Sequence, residues 1–425
     1  MTQLDVGRRA RPYSLKVLFL TSSYPRSNDD SASVFLRYLA EALANSDIEI
    51  HVLAPSAGTA GASIEGRVTV HRFQYFPARL QKLAYGSGIM PNLKRSPWLW
   101  IQVPFFLCAM TYNLVRLIQI ERPDLVHAHW ILPQGLIAIL AKVLCGTPVI
   151  TTGHGTDVFA LRGRIRNALK RLVVDRSDAW TTNTRATSTA VAAKPSSRKA
   201  QIIPMGVDIA LFAGGSRDAL RRDLPDGELL ILFVGRLVES KGCHHLIRAL
   251  ALLPSTLGVR VTLWVVGDGD QRSALEGMAR ALGMEHKVKF WGTILNRRLP
   301  DFYAAADLFV APSVETSSGD SEGQGVVLLE AFASGTCVLA TRIGGVSSIV
   351  TDNCTGMLVE PGDPQALTAA IEQLLSDPLL RSKLVETAFV HVKDNYPWGK
   401  IAAEFETLYR QVLDIRIPPL QNGRS

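Results

Sequence analysis

Two carboxylates stand eight residues apart in Ser321-Glu322-Gly-Gln-Gly-Val-Val-Leu-Leu-Glu330-Ala331. Glu322 lies on a glycine-rich stretch and Glu330 inside the apolar run after it, the pattern of a loop feeding a helix. Free N–H groups around Gly325–Val327 would then make an anion site at the helix N-terminus, with Gly323, Gln324 and Val326 in the same turn. Glu330, about 1.5 turns further on, cannot reach that anion but can accept hydrogen bonds from a sugar hydroxyl. Two cations share a second segment, Val234-Gly235-Arg236-Leu-Val-Glu239-Ser-Lys241-Gly242. A planar guanidinium beside a point-charge ammonium suits a diphosphate, although alone the segment also reads as a solvated turn with a Glu239 ion pair.

Two histidines follow short apolar runs in the first half: His129 in Leu125-Val-His-Ala-His129, and His154 in His154-Gly-Thr-Asp157. A residue at a strand end faces whatever lies beyond the sheet, whereas His127 alternates with His129 and is expected in the core. Asp268-Gly-Asp270 has a metal-binding spacing. It directly follows a buried strand and opens a helix, so turn and N-cap duties are expected instead. No other Asp/His cluster completes an octahedral site, and no metal is expected.

The elements that must position these residues alternate. In the first half, Lys16–Thr21, Ile48–Ala54, Leu125–Ala128 and Pro148–Thr152 read as strands between helices at Val34–Ala44 and about 135–144. The pattern restarts with strands Leu229–Val234, Val261–Val266, Lys287–Phe290, Leu308–Ala311 and Val338–Thr341. Helices His244–Leu253, Gln271–Leu282 and Val326–Ser334 fall between them. Continuously apolar strands between helices indicate an α/β chain with parallel sheets covered on both faces. A Pro/Gly break near Ile203–Asp208 divides it into residues 1–205 and 206–395, with 396–425 as a terminal helix and tail. Ligands of such sheets sit at the carboxyl ends of the strands, so two facing domains imply a two-substrate cleft.

The 425 residues, 47% hydrophobic and 20% charged, exclude disordered, collagen-like and coiled-coil classes. Five scattered cysteines without a C-x-x-C pair argue against a disulfide framework or zinc site. No apolar leader segment is visible, so a cytoplasmic location is expected. The apolar stretches Pro97–Ile120 and Ile131–Gly146 are interrupted by polar residues and read as buried helices. Charge is uneven: residues 1–200 hold 25 Lys/Arg against 12 Asp/Glu, and residues 201–425 hold 21 against 26. A basic half beside a mildly acidic one implies that the first meets an anion. The candidates are a membrane surface, a phosphorylated acceptor or a nucleic acid, and nothing favours nucleic acid. Arg162, Arg164, Arg166, Lys170 and Arg171, with Ile165, Leu169 and Leu172 sharing one helical face, suggest peripheral docking on the inner face of an anionic membrane.

Taken in order, G-R-x-x-x-x-K-G, Gly267-Asp-Gly269, Val288-Lys-Phe-Trp-Gly292, Glu-x₇-Glu, Ala331-Phe-Ala-Ser-Gly335 and Ala340-Thr-Arg-Ile-Gly-Gly345 resemble family 4 retaining glycosyltransferases of the GT-B type. Tyr24-Pro25-Arg26 and Arg122–Trp130 extend the resemblance over nearly the whole chain. The loop Ser317–Gly323 looks like the bacterial branch that builds exopolysaccharide or capsule units. The resemblance implies two Rossmann-like, doubly wound domains facing a cleft, with Trp398–Leu413 crossing back to the first. It implies retaining transfer of a hexose-like sugar from a UDP- or GDP-sugar to a saccharide or lipid-diphosphate-linked acceptor, with no cofactor beyond that co-substrate. Arg236 and Lys241 would neutralise the diphosphate, and Glu322 would orient the donor sugar or stabilise positive charge near its anomeric carbon. His129 would touch the sugar from the acceptor side. Gly235, Gly323, Gln324, Gly325, Val326 and Glu330 would bind the donor, with Glu330 on the ribose. His154, Asp157 and Ser33 would bind the acceptor. The chain departs from the family pattern at three places. Asn28–Ser33 replaces a glycine-rich turn, where Ser31 or Ser33 could donate hydroxyls. Ser347-Ser348 replaces Pro-Glu, and Gly335-Thr336-Cys337 replaces small-Gly-Pro.

Other classes fit less well. A phosphorylase lacks a convincing pyridoxal lysine, and a dinucleotide dehydrogenase lacks a G-x-G-x-x-G after a strand. A sugar-nucleotide epimerase, or a catalytically weak membrane-associated assembly protein of the same fold, would be separated by assays on a donor panel.

Overall fold

The computed structural model describes residues 15–413 apart from 28, 31, 57, 59, 87, 160–162, 192–198, 223, 226, 255–259 and 318. Ser31, Arg162 and the tail from Arg416 therefore lie outside the described residues. Strands β1 (Leu15–Leu20), β2 (Ile48–Pro55), β3 (Gly61–Glu65), β4 (Val68–Phe73), β5 (Leu125–His129), β6 (Val149–Gly153), β7 (Ala179–Thr182) and β8 (Gln201–Ile202) form one sheet. Its order is β3-β4-β2-β1-β5-β6-β7-β8, parallel except for β3 on β4. The helices of this half are α1 (Val34–Asn45), α2 (Ile89–Arg95), α3 (Gln102–Glu121), α4 (Leu136–Cys145), α5 (Thr156–Phe159), α6 (Arg164–Arg176) and α7 (Arg185–Val191).

The second sheet is wholly parallel, in the order β11-β10-β9-β12-β13-β14. It comprises β9 (Leu229–Val234), β10 (Val261–Val266), β11 (Val288–Gly292), β12 (Leu308–Ala311), β13 (Val338–Thr341) and β14 (Met357–Val359). Its helices are α8 (Ile209–Ala213), α9 (Arg217–Arg221), α10 (Cys243–Leu252), α11 (Arg272–Ala281), α12 (Leu299–Ala305), α13 (Val326–Ala333), α14 (Pro364–Ser376) and α15 (Pro378–Asn395), and α16 (Trp398–Val412) leaves it. Strand order reverses at β1/β5 in one sheet and at β9/β12 in the other, the crevices where doubly wound folds bind ligands. This is a GT-B architecture.

Helix α16 returns to the first domain as expected. Ile401, Phe405, Leu408 and Tyr409 are buried with Leu36, Leu39 and Leu43 of α1. Each such side chain contributes roughly 1.5–3 kcal/mol when removed from water. Tyr409 Oη also lies 2.8 Å from His127 Nδ1. The two chain crossings run together, with the Val207 N–H donating to Tyr396 O at 2.9 Å.

Helix α3 differs from the expectation. Its inner stripe, Phe106, Met110, Leu114 and Ile118, is in the core, but Ile101, Phe105, Tyr112 and Ile120 face outward. Among the described residues, Pro97–Glu121 is the helical stretch long and apolar enough to cross a membrane by length and composition. Its packed inner stripe makes it instead part of the domain wall. It is apolar on both faces, which is why it read as fully buried. Residues Ile131–Cys145 are likewise buried on one face only, with Leu140, Val143 and Leu144 exposed.

Candidate active site

The cation segment forms as the turn after β9. Val238 N reaches back to Arg236 O, and Lys241 N bonds Val238 O at 3.1 Å. The turn ends at Gly242, whose φ is +67° and whose added Cβ would sit 1.8 Å from Pro312 O, so only glycine lets it close onto the end of β12. Gly267, at φ +130°, is constrained similarly: a Cβ there would lie 1.9 Å from Gly235 O. Asp268 bonds the Gly269 N–H at 2.7 Å and pairs with Arg272 at 3.5 Å, a turn role. Asp270 is not the N-cap expected of it, because the helix caps one residue later at Gln271.

The second segment lies across from it. Lys241 Nζ is 2.5 Å from Glu322 Oε2, and Ser313 Oγ from the end of β12 donates to the same oxygen at 3.3 Å. Burial alone would raise the Glu322 carboxyl; the charge of Lys241, its hydrogen bond, Ser313 and Arg236 together hold it below the usual range. Gly325 (φ +78°) caps the start of α13; Leu328 N bonds Gly325 O at 2.9 Å, and the Val326 and Val327 N–H groups before it lack intrahelical acceptors. A small pocket between these elements is lined by Phe233, Lys241, Ser313, Glu322, Gly325 and Val327. One turn along α13, Glu330 is buried and accepts the Tyr303 hydroxyl at 2.8 Å. Desolvation pushes its carboxyl up to about 7.

The Glu322 loop also joins the domains. Gly323 O accepts from Thr184 Oγ1 at 3.1 Å, and a Cβ on Gly155 would lie 2.6 Å from Gly323 Cα. Gly345 N donates to Glu322 O at 3.0 Å, and its own Cβ would meet Gly323 O at 1.9 Å. The role of Gly344-Gly345 as the bed of this loop is visible only in three dimensions. Two residues expected to bind donor or acceptor do other work. Gln324 is buried, and its amide clamps Met205, taking the N–H at 2.8 Å and donating to the carbonyl at 2.8 Å. Asp157 is buried, and its carboxylate takes the N–H groups of Ile131 (2.6 Å), His154 (3.1 Å) and Gly155 (3.2 Å), partners that face it into the backbone. It shapes the two strand-end turns instead. The Val326 side chain is partly buried and packs against the first domain's core.

The histidines are stacked in depth. His127 lies lowest, bonded to Thr152 Oγ1 at 2.6 Å as well as to Tyr409. His129 is fully buried, against the expectation that it touches sugar directly; its Nδ1 is 3.1 Å from His154 Nε2 and its Nε2 is an unpartnered buried atom. His154 is outermost, against Phe35, Trp130 and Asn183, with its carbonyl close to Gly323. Burial lowers all three, His127 and His154 to about 3. Trp130 holds φ at +78°, a strained backbone for a bulky residue, fixed by bonds to Thr152 O and from Gly135 N.

Ser33 adopts the left-handed conformation (φ 52°, ψ 38°) in which glycine costs least, just where the resembled family has a glycine-rich turn. Across the cleft, Asn296 Nδ2 donates to Tyr38 Oη at 2.7 Å and Arg297 lies 3.6 Å from Asp29. Ser347 and Ser348 line an open recess of about 850 Å³ with Arg185 and Thr189. One His/Glu group has metal-ligand spacing among the described residues: His51, His71 and Glu121, with ligand atoms within 4.8 Å of one another. It lies at the sheet end opposite the cleft. Lys16 bonds Glu49 at 2.7 Å and approaches Glu121 at 3.5 Å, so a resident cation already neutralises it.

The chain matches two family models: "Glycosyltransferase Family 4" over residues 32–211 and "Glycosyl transferases group 1" over residues 217–391. It is 33% identical over 344 residues to D-inositol 3-phosphate glycosyltransferase of Nocardiopsis dassonvillei, spanning 74% of this chain and 77% of that one. It is 26% identical to N-acetyl-alpha-D-glucosaminyl L-malate synthase of Bacillus anthracis, spanning 79% and 87%. Among solved structures, sucrose-phosphate synthase of Thermosynechococcus elongatus superposes with a TM-score of 0.78 at 24% identity, covering 95% of this chain and all of that one. Anabaena HepE, solved in complex with UDP-glucose, does so with a TM-score of 0.70 at 22% identity, covering 93% and 99%. With a GT-B frame, two facing switch-point crevices and both family models matching in tandem, the chain belongs to glycosyltransferase family 4.

Proposed function

We propose that this glycosyltransferase moves a hexose-like sugar from a UDP- or GDP-sugar, with retention of anomeric configuration, to a saccharide or lipid-diphosphate-linked acceptor in surface-glycan synthesis. The observation that carries this reading is the Lys241–Glu322 contact beside Arg236 at the start of α13. Arg236, Lys241 and the free N–H groups of that helix together oppose the charge that grows on a leaving diphosphate. Glu322 stays ionised, so its carboxylate can face a donor sugar that develops positive charge. Glu330 sits deeper along α13, where its carboxylate can take ribose hydroxyls. His154, not the buried His129, is the histidine placed to meet the sugar, with His129 steadying its ring. Arg236, Lys241 and the helix start supply the positive charge a divalent cation would supply, so transfer should survive chelator.

A second reading of the acceptor, a small soluble anionic molecule, is favoured by the inositol-phosphate and malate in the relatives' names. Nothing favours the epimerase or assembly-protein alternatives. A thermal-shift screen of UDP-, GDP- and ADP-sugars, followed by NMR of the anomeric coupling in the product, tests the scheme. No stabilisation by any nucleotide sugar, or an inverted product, would refute it.

A further inference from the structure

The outer layer of the first domain carries a surface that the chemistry of the cleft does not use. Between Glu65 and Glu121 the chain contains no acidic residue, but it has Arg67, Arg72, Arg79, Lys82, Lys94, Arg95 and Arg116. Arg72 is turned inward onto the Tyr24 carbonyl and the Tyr85 hydroxyl, and Arg67 pairs with Asp47. Arg79, Lys82, Lys94, Arg95 and Arg116 are exposed.

Large apolar side chains stand among these cations. Trp98 is 50% exposed, Trp100 55%, Ile101 61% and Phe105 52%, with Leu80 beside them at 48%. The Phe105 ring also packs on Phe76, 5.5 Å between centroids, which makes the patch continuous across the loop before α2. Along α3 the outward stripe continues through Cys108 and Tyr112, and α4, packed against α3, adds Leu140 and Val143. A helix apolar all round and half in water has a second partner to meet, and the charge around it selects that partner. A cationic rim around tryptophans and aliphatics matches the anionic headgroup layer of a bilayer above its acyl chains, the depth at which tryptophan settles.

The placement adds a reason. Helix α3 runs into the parallel strand β5 and so is antiparallel to the strands. Its N-terminal end, with Trp98 and Trp100, therefore lies at the level of the strand ends that carry His129 and His154. We infer that the Arg79–Phe105 surface seats the enzyme on an anionic lipid bilayer with the cleft mouth next to the membrane. Of the five cations at 162–171, Arg162 lies outside the described residues and Lys170 is buried with its ammonium on Val158 O at 2.7 Å, which leaves Arg164 and Arg166 exposed. Helix α6, packed against α4, exposes Arg164 and Ile165.

The inference does not rest on the sugar chemistry, and its test uses no sugar. The full chain is floated with vesicles of phosphatidylcholine alone or with increasing phosphatidylglycerol, while tryptophan emission is recorded. Binding should rise with anionic lipid, fall as salt screens it, and shift the emission to the blue. Trp98→Ser/Trp100→Ser and Lys94→Gln/Arg95→Gln should each lower the bound fraction by about tenfold or more, with an unchanged melting temperature. Quenching of wild-type emission by lipids brominated near the headgroup checks the same surface without any variant. Failure to float at low salt with any vesicle would overturn the proposal. So would binding that both double variants retain but Arg164→Gln/Arg171→Gln removes. Vesicle-independent self-association lost in Trp98→Ser/Trp100→Ser would assign the patch to a second copy of the chain instead.

Discussion

Lys241 and Glu322, 81 residues apart, meet at 2.5 Å where the turn after β9 faces the loop before α13. Their side chains are 23% and 11% exposed, so each charge depends on the other for much of its solvation. A donor diphosphate would enter a site whose ammonium is already charged and aimed, at the cost of sharing it with Glu322.

Removing one partner should therefore be worse than removing both. Lys241→Met is expected to destabilise the ligand-free protein by about 1–3 kcal/mol, because the buried Glu322 loses its ion-pair partner and keeps only the Ser313 hydrogen bond and the charge of Arg236. Adding Glu322→Gln should restore part of that loss. Urea unfolding of the four proteins in a double-mutant cycle checks it, and additive effects would show that the contact is energetically idle.

The turn itself is set by Gly242. With φ +67° and Pro312 O in the way, Gly242→Ala must move backbone, and a loss of about 2 kcal/mol or more is expected together with weakened nucleotide-sugar binding. Gly66→Ala, also at positive φ but in open space, should cost about 1 kcal/mol and leave binding unchanged. Equal losses at the two sites would remove the argument from close approach.

How much of this was legible beforehand depended on burial. Strands β9, β10, β12 and β13 end where the apolar runs end, because strands covered on both faces leave no polar alternation to blur them. The β3–β4 hairpin gave no such sign: Gly61–Ile64 is wholly exposed, and its only signal was Gly66 at the turn. In the site, Arg236, Lys241, Glu322 and Glu330 announced themselves by charge beside glycine. The duties of Gln324 and Asp157 did not, since the first answers Met205 across 119 residues and the second answers three backbone amides. The ordering of His127, His129 and His154 in depth depends on sheet register, which neighbouring residues do not encode.

Titration should separate two of these groups by sign. His127 and His154, held to about 3, and His129, also lowered, are neutral when folded, whereas the unfolded chain protonates them below about 6.5. Stability should thus be present above 6.5 and fall as pH drops, by up to about 1.4 kcal/mol per pH unit for each histidine. Melting temperatures measured from pH 7 to pH 5 check this, and a flat profile would contradict the buried neutral cluster.

Glu330 acts oppositely. Its carboxyl, raised to about 7, keeps a proton in the fold that the unfolded chain releases near the ordinary value of 4.5. Its contribution is full below 4.5 and is lost as pH rises through 7. Glu330→Gln, which keeps an acceptor for Tyr303, should raise the melting temperature at pH 8 but not at pH 5. It should also weaken nucleotide-sugar binding if the carboxylate takes the ribose. An equal shift at both pH values would contradict the raised carboxyl.

The placement of the diphosphate is tested most directly by kcat/KM for Arg236→Ala and Lys241→Ala, measured with a donor shown to be turned over by the unsubstituted enzyme. Charge that builds on the leaving group at these two cations predicts a fall on the order of 10²–10³-fold in each variant, carried mainly by kcat. A value close to that of the unsubstituted enzyme in either variant would mean that the diphosphate leaves elsewhere.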